Sequence, residues 1–355
     1  MNAAEVTSGE ITFIHTGSMR LMSVFSEGRP LQIPPSGFGY PMAVQAVESD
    51  LPGIPTRIQG AFDQNQVVMS EKSARLRGAG IGDVLMLEGW DGEVLPFVIG
   101  AIVPDTEINW YEIVISSEQA QALGMSRPSS ARIWNADMSK LRTLLDYMLP
   151  NQPIRVYRSG ERISTSDSVL PTVLVKEVFG EFSFRPSAGR SVDVDQNWYR
   201  ASIVTVEFPE LGRFKCHRLV VPYLRSALNE ITQAGLIGEI SYRDFQMAGG
   251  CYNARLMAGG ENGYILSRHS WGTAVDINPS TNRYGKPATL NPLVGEIMRK
   301  WGFAWGATWT VPDGMHFEWT HYPNADVGEF WSDAEIRTTD SGFEVYDRNG
   351  SSGSE

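Results

Sequence analysis

Two short segments of the chain carry side chains that could do metal chemistry. The first is His269-Ser270-Trp271-Gly272-Thr273-Ala274-Val275-Asp276, and the second is Asp313-Gly314-Met315-His316. Two imidazoles and two carboxylates in one stretch are the parts of a catalytic zinc site. Such a site needs three protein ligands, an open coordination position and a further carboxylate to take a proton. The chain has five histidines, His15, His217, His269, His316 and His321, and two of the five fall in this pattern.

Asp276 follows His269 by seven residues, a spacing that returns an α-helix to nearly the same face. Gly272 and the β-prone run Val275-Asp276-Ile277 instead favour a loop that enters a strand. Asp276 alternates with apolar neighbours, so its carboxylate is expected to face inward, where it must be paired or metal-bound. Met315-His316-Phe317-Glu318-Trp319 also alternates, which places His316 and Glu318 on one strand face. Taken alone, His316 reads as readily as a hydrogen-bonded core histidine. Asp313, across Gly314 from His316, is placed to act as general base, with Glu318 as the rival base. The expected role of Glu318 is to hold a ligand imidazole from behind or to close a core hydrogen bond. His321, in Thr320-His321-Tyr322-Pro323, is the rival ligand. Arg255 is either a solvated charge or a cation that holds a substrate carbonyl and stabilises an oxyanion. Trp271, Trp305 and Trp309 read as core or as walls of a substrate cleft.

The elements that must position these residues follow from the patterning. The chain of 355 residues is long enough for two or three domains, and its 42% hydrophobic content supplies an ample core. Residues 11–14, 83–88, 94–103 and 112–116 are strand-like, and Gly89-Trp90-Asp91-Gly92 has hairpin chemistry. Short strands between Gly and Pro turns predict a sandwich or small barrel, with a short helix at 117–123 capped by Ser117 and stopped by Gly124. Leu141, Leu144, Leu145 and Met148 predict a helix over 137–148. Strands are expected at 173–177, 181–185 and 203–208, with 187–196 as the best internal linker. Val221, Leu224, Leu228 and Ile231 predict an amphipathic helix, and Asn291-Pro292 begins another that ends before Gly302. The fold class expected is α+β, divided into a β-rich domain over 1–150, a β-containing connector or second small domain over 151–200, a metal-site domain over 201–337 and a disordered tail over 338–355.

The net charge of −11 argues against nucleic acid and against an anionic membrane surface as partners. Residues 1–20 lack the basic start and apolar run of a secretory signal. The most apolar stretch, Val94–Val103, is too short to span a bilayer. On these grounds the protein is either cytoplasmic or exported by a segment not visible in the sequence. Cys216 and Cys251 read as buried free thiols or as a bridged pair.

Four segments in order resemble a known family: Tyr252-Asn253-Ala254-Arg255; Leu266-Ser267-Arg268-His269-Ser270-Trp271-Gly272-Thr273-Ala274-Val275-Asp276-Ile277-Asn278; Gly302-Phe303-Ala304-Trp305-Gly306-Ala307-Thr308-Trp309; and Asp313-Gly314-Met315-His316-Phe317-Glu318. The family is that of zinc D-alanyl-D-alanine carboxypeptidases and L-alanyl-D-glutamate endopeptidases, whose fold is shared with hedgehog signalling domains. The resemblance covers residues 210–325, a third of the chain. It implies Zn2+ held by His269, Asp276 and His316, with Asp313 as catalytic acid and base. Arg255 would bind substrate and stabilise the tetrahedral intermediate, Ser267 would support the substrate site through hydrogen bonds, and Trp309 would line it. Members often carry glycine where this chain has Ala307, and many carry Glu in place of Asp313. Members similar to this chain have cysteines near Cys216 and Cys251, which implies a disulfide and an extracytoplasmic location. The implied activity is hydrolysis of peptidoglycan stem peptides. The alternatives are a non-catalytic, zinc-stabilised wall-binding or interaction module, and a working role for the β-rich N-terminal region in binding wall polymer or an envelope protein.

Overall fold

The computed structural model describes residues 11–49, 54–149, 169–257, 263–321, 344–346 and 352–354. The chain divides into two compact units. The first comprises Met1–Pro34, Pro41–Glu161 and Glu261–Tyr264, and the second comprises Pro35–Tyr40, Arg162–Gly260 and Ile265–Glu355. Residues 169–200, expected to form a connector, are part of the second unit. No helix among the described residues is long and apolar enough to cross a membrane.

The first unit is built on a closed six-stranded barrel. Its strands are β1 (Ile11–Ser26), β3 (Tyr40–Val47), β4 (Val67–Ser70), β5 (Val84–Glu88), β6 (Val94–Val103) and β7 (Ile113–Ser116), with β2 (Arg29–Gln32) and β8 (Ser130–Ile133) paired to the outside of β1. The ring runs β1-β3-β7-β4-β6-β5 and closes where β5 pairs with β1 from Arg20↔Glu88 to Phe25↔Val84. A register shift between Leu21 and Ser23 bends the long β1 so that it can reach two neighbours. The expected hairpin at 89–92 joins antiparallel β5 and β6. Two pairs, β3 with β7 and β4 with β6, are parallel. Helix α1 (Thr56–Phe62) packs Ile58, Ala61 and Phe62 against Val68, Val103 and Val114. Helix α2 (Glu71–Arg77) follows β4 directly, capped by Ser70. Helix α3 (Ser117–Ala122) is capped by Ser116, one residue before the expected Ser117, because Ser116 and Gln119 form a reciprocal capping box. Helix α4 (Met138–Met148) starts at Asp137, whose carboxylate accepts from Ser139 and Lys140 N–H groups.

In the second unit residues 173–177 form the middle of a helix, α5 (Thr172–Phe179), and not a strand. The β-branched run favours a strand locally, but Pro171 presets a helix entry, Gly180 ends it, and Val173, Leu174, Val175 and Phe179 are all buried. The strand expected at 181–185 is confined to β9 (Phe184–Pro186). Residues 187–196 are not a linker: they turn back into β10 (Val192–Val194), which pairs with β9, and into helix α6 (Gln196–Ser202). Next come a hairpin of β11 (Ile203–Phe208) and β12 (Gly212–His217) and helices α7 (Val221–Gln233) and α8 (Tyr242–Ala248). A three-stranded antiparallel sheet holds β13 (Ala274–Asp276) and β14 (Phe303–Trp305) on either side of β15 (His316–Trp319). Helix α9 (Pro292–Lys300), capped by Asn291, covers β14. In the tail expected to be disordered, β16 (Glu344–Tyr346) and β17 (Ser352–Ser354) pair antiparallel. The rest of that tail lies outside the described residues.

Candidate metal centre

The small sheet brings the two chemical segments together. In β13 and β15, Asp276 lies directly opposite His316. His269 arrives on a 3-10 turn, Arg268–Trp271, capped by the Ser267 hydroxyl, so the segment is a loop entering a strand as its composition predicts. Gly272 ends the turn at φ 69°, and a Cβ there would stand 2.8 Å from the backbone nitrogen of His217. Any other residue would push the histidine turn off β12. One ligand atom from each of His269, Asp276 and His316 lies within 4.8 Å of the other two, and all three residues are buried.

The hydrogen bonds fix which atoms converge. Nδ1 of His269 is 3.0 Å from the Cys251 carbonyl oxygen, which can only accept, so Nδ1 carries the proton and donates. Its Nε2 then presents a lone pair to Asp276 Oδ1 at 3.2 Å. Nε2 of His316 lies 3.0 Å from a Glu318 carboxylate oxygen, and its Nδ1 lies 3.0 Å from the same Asp276 Oδ1. Burial pushes His269 below its ordinary pKa, against the charge of Asp276, which raises it. Burial alone would raise the Asp276 carboxyl, but the neighbouring imidazoles outweigh it and hold the group well below its usual range. A nitrogen of each imidazole and a carboxylate oxygen thus meet at one buried point. The donor set and spacing suit a divalent metal bound by nitrogen and oxygen.

Cys216 and Cys251 are disulfide-bonded. The bridge, together with bonds from the Cys251 and Tyr252 amides to the Lys215 carbonyl at 3.1 and 2.8 Å, ties the carbonyl that orients His269 to β12. Behind the other imidazole, Glu318 is faced by Arg268 Nε at 3.7 Å, so the expected supporting role of Glu318 is what the geometry offers. Arg255 Nη2 reaches Asp276 Oδ2 at 3.3 Å, while its Nη1 is buried without a hydrogen-bond partner among the described residues. Burial lowers the Arg255 pKa, and the charges of Asp276 and Asp313 oppose that shift. Asp313 is therefore close enough to act on the Arg255 guanidinium electrostatically. It is 8% exposed, its amide bonds the Gly306 carbonyl at 2.8 Å, and its carbonyl accepts from the His316 N–H at 3.0 Å. A Cβ on Gly306 would stand 2.7 Å from the Asp313 oxygen, so glycine allows that approach.

The remaining expected residues divide. Ser267 is buried, and its described contacts build the turn and hold Arg255. Trp309 packs its ring 5.5 Å from that of His316. Trp271 is core: it is fully buried and donates to the Gly180 carbonyl at 3.2 Å. Trp305 stacks on Phe317 and donates to the Gly314 carbonyl at 2.8 Å, bracing the Asp313 loop. Ala307 lies in the 3-10 turn Gly306–Thr308. His321 is outside the metal-capable group and sits 2.9 Å from the Thr320 hydroxyl. Sequence reasoning missed Ser270, Arg268 and the Cys251 carbonyl. Ser270 carried one signal, a small hydroxyl beside a ligand inside the densest segment, but its partner lies fifteen residues away.

Residues 260–319 match the D-alanyl-D-alanine carboxypeptidase family. The match takes in His269, Asp276, Asp313 and His316 and leaves out Arg255, Cys216 and Cys251. It is narrower than the 210–325 span of the sequence resemblance. No curated protein sequence matches the chain.

Proposed function

We propose that the protein is a zinc peptidase that hydrolyses peptidoglycan stem peptides, as a D-alanyl-D-alanine carboxypeptidase or an L-alanyl-D-glutamate endopeptidase, on a hedgehog-type domain. The observation that carries the reading is the convergence of His269 Nε2, His316 Nδ1 and Asp276 Oδ1 on one buried point, with Arg255 on the far oxygen of Asp276. Zinc bound there supplies Lewis acidity and lowers the pKa of a water to about 7. Asp313 takes the proton of the attacking water and returns it to the leaving amine. Arg255 Nη1, buried and without a partner of its own, holds the scissile carbonyl oxygen as it gains charge. Cys251 and Glu318 keep the two imidazoles in the tautomers the ligands require. The buried disulfide supports an extracytoplasmic location, where such bonds persist.

The test is a digest of purified muropeptides analysed by mass spectrometry, whose products also name the bond cleaved. The zinc-loaded protein is expected to release D-alanine or to cut the L-Ala–D-Glu bond. Asp313→Ala is expected to keep its zinc and lose about 100-fold or more in turnover. Turnover retained in that variant would remove Asp313 from the mechanism.

A further inference from the structure

We infer that Ser270 is a positioning residue that clamps Arg255 to the metal-binding turn, an inference that rests on the peptidase reading above. The Ser270 side chain is fully buried, and its hydroxyl contacts the Arg255 backbone twice. It accepts from the Arg255 N–H at 3.0 Å and donates to the Arg255 carbonyl at 2.9 Å. That carbonyl also accepts from the Ser267 N–H at 3.0 Å. The segment that carries the guanidinium is thus fastened to the same short turn that carries His269. Upstream, the Asn253 N–H donates to the His269 carbonyl at 3.0 Å, and on its other side the segment bridges residues 190–192 through Ser191↔Arg255.

Ser270 is the side chain in this contact that satisfies the Arg255 N–H. The arrangement explains how an arginine on one segment keeps a defined distance from ligands on another. Arg255 begins the stretch 255–267, whose two ends are held together by the Leu256↔Leu266 bridge and the bond from the Met257 N–H to the Ile265 carbonyl at 2.9 Å. Those bonds close the base of the stretch but do not set its position against His269. The Ser270 hydroxyl helps to do so, alongside the Asn253–His269 and Ser267–Arg255 backbone bonds, and it is the side chain that joins Arg255 to the residue next to His269. Catalytic groups lose rate steeply when displaced by fractions of an ångström, so the clamp should act on turnover through Arg255.

The test uses the full zinc-loaded chain, with kcat and KM measured on a purified muropeptide for the unaltered protein, S270A, R255A and the double variant. S270A is expected to bind zinc with unchanged stoichiometry, to lower kcat/KM about 10- to 100-fold, and to speed amide exchange at residues 253–257. In the R255A background the same substitution is expected to change kcat/KM by less than about two-fold, because the residue it acts through is gone. S270T keeps the hydroxyl and is expected to stay within about five-fold of the unaltered protein. Equal losses in both backgrounds, or an S270A enzyme with unaltered kinetics and unaltered exchange, would overturn the clamp. If S270A does not fold, an S270T enzyme as impaired as R255A overturns it too. Absence of any hydrolysis by the unaltered protein would instead overturn the peptidase reading, and the exchange measurement would still report on the clamp.

Discussion

Glu112 in the barrel and Asp276 in the second unit are both carboxylates taken out of water, but their neighbours differ in kind. Glu112 is met by donors. Arg77 Nη2 lies 3.1 Å and the Ser73 hydroxyl 3.3 Å from Oε1, and the Ala43 N–H lies 2.9 Å from Oε2. Both side chains of the Arg77–Glu112 pair are fully buried. Such a pair joins α2 to the approach of β7 and has nothing to offer a ligand. Asp276 has a donor, Arg255, at one oxygen, but at the other it meets a nitrogen of each of two imidazoles, at 3.2 and 3.0 Å. Buried charge alone does not mark a metal-capable group. The convergence of imidazole nitrogens on one carboxylate oxygen is what separates Asp276 from Glu112.

That contrast can be broken in three places. The largest effect is expected at Asp276. Asp276→Asn should lower zinc affinity by more than about 100-fold, beyond the loss typical of outer partners, as measured by competition with a chromophoric chelator. An intact zinc affinity would show that the convergence is not a metal site. Next, Glu112→Ala should leave Arg77 buried without its carboxylate and cost about 3–5 kcal/mol of stability, with zinc stoichiometry unchanged, as measured by urea unfolding. With the metal removed, Asp276→Asn should cost less stability than Glu112→Ala, because the amide oxygen can still accept from Arg255 whereas Glu112→Ala strips Arg77 of its carboxylate. A larger loss at Asp276 would make both carboxylates structural and erase the distinction.

The smallest effect concerns a histidine of the second unit that is not a ligand. Burial lowers the His217 pKa from 6.5 to about 4, against an interaction of the ring with the Phe179 backbone carbonyl that raises it. The folded protein keeps His217 neutral while the unfolded chain takes up a proton between those values. Its contribution is therefore complete above pH 6.5 and is lost as pH falls toward about 4. The loss should be on the order of 3 kcal/mol. His217→Gln should flatten the stability curve between pH 7 and pH 4.5. An unchanged slope would assign the acid sensitivity of this unit to other groups.

How much was legible differs by residue. Asp276 and His316 could be read because strand alternation is local: a polar side chain set between apolar neighbours shares no face with them. Asp313 and Arg255 were legible as chemical types at useful places, but only the fold brings Arg255 to Asp276 and within the electrostatic reach of Asp313. Residues 173–177 misled for the same reason in reverse: the local preference of Val173 and Val175 yielded to the burial of a helical face. The 187–196 stretch is polar and reads as a linker, yet backbone pairing needs no apolar side chains, and Ser191 bridges to Arg255.

By itself, then, the sequence determined the residue types of the metal-capable group, the β-rich character of the first unit and the family matched by residues 260–319. These follow from residue chemistry and from periodicity over a few neighbours. Only the tertiary structure decided that the barrel closes, because β5 must find β1 more than fifty residues back and two strand pairs run parallel. It alone decided which nitrogen of each imidazole faces Asp276. It also decided that Ser270 holds Arg255. Hydrogen bonds between distant segments depend on how the chain folds back, and no local pattern encodes that path.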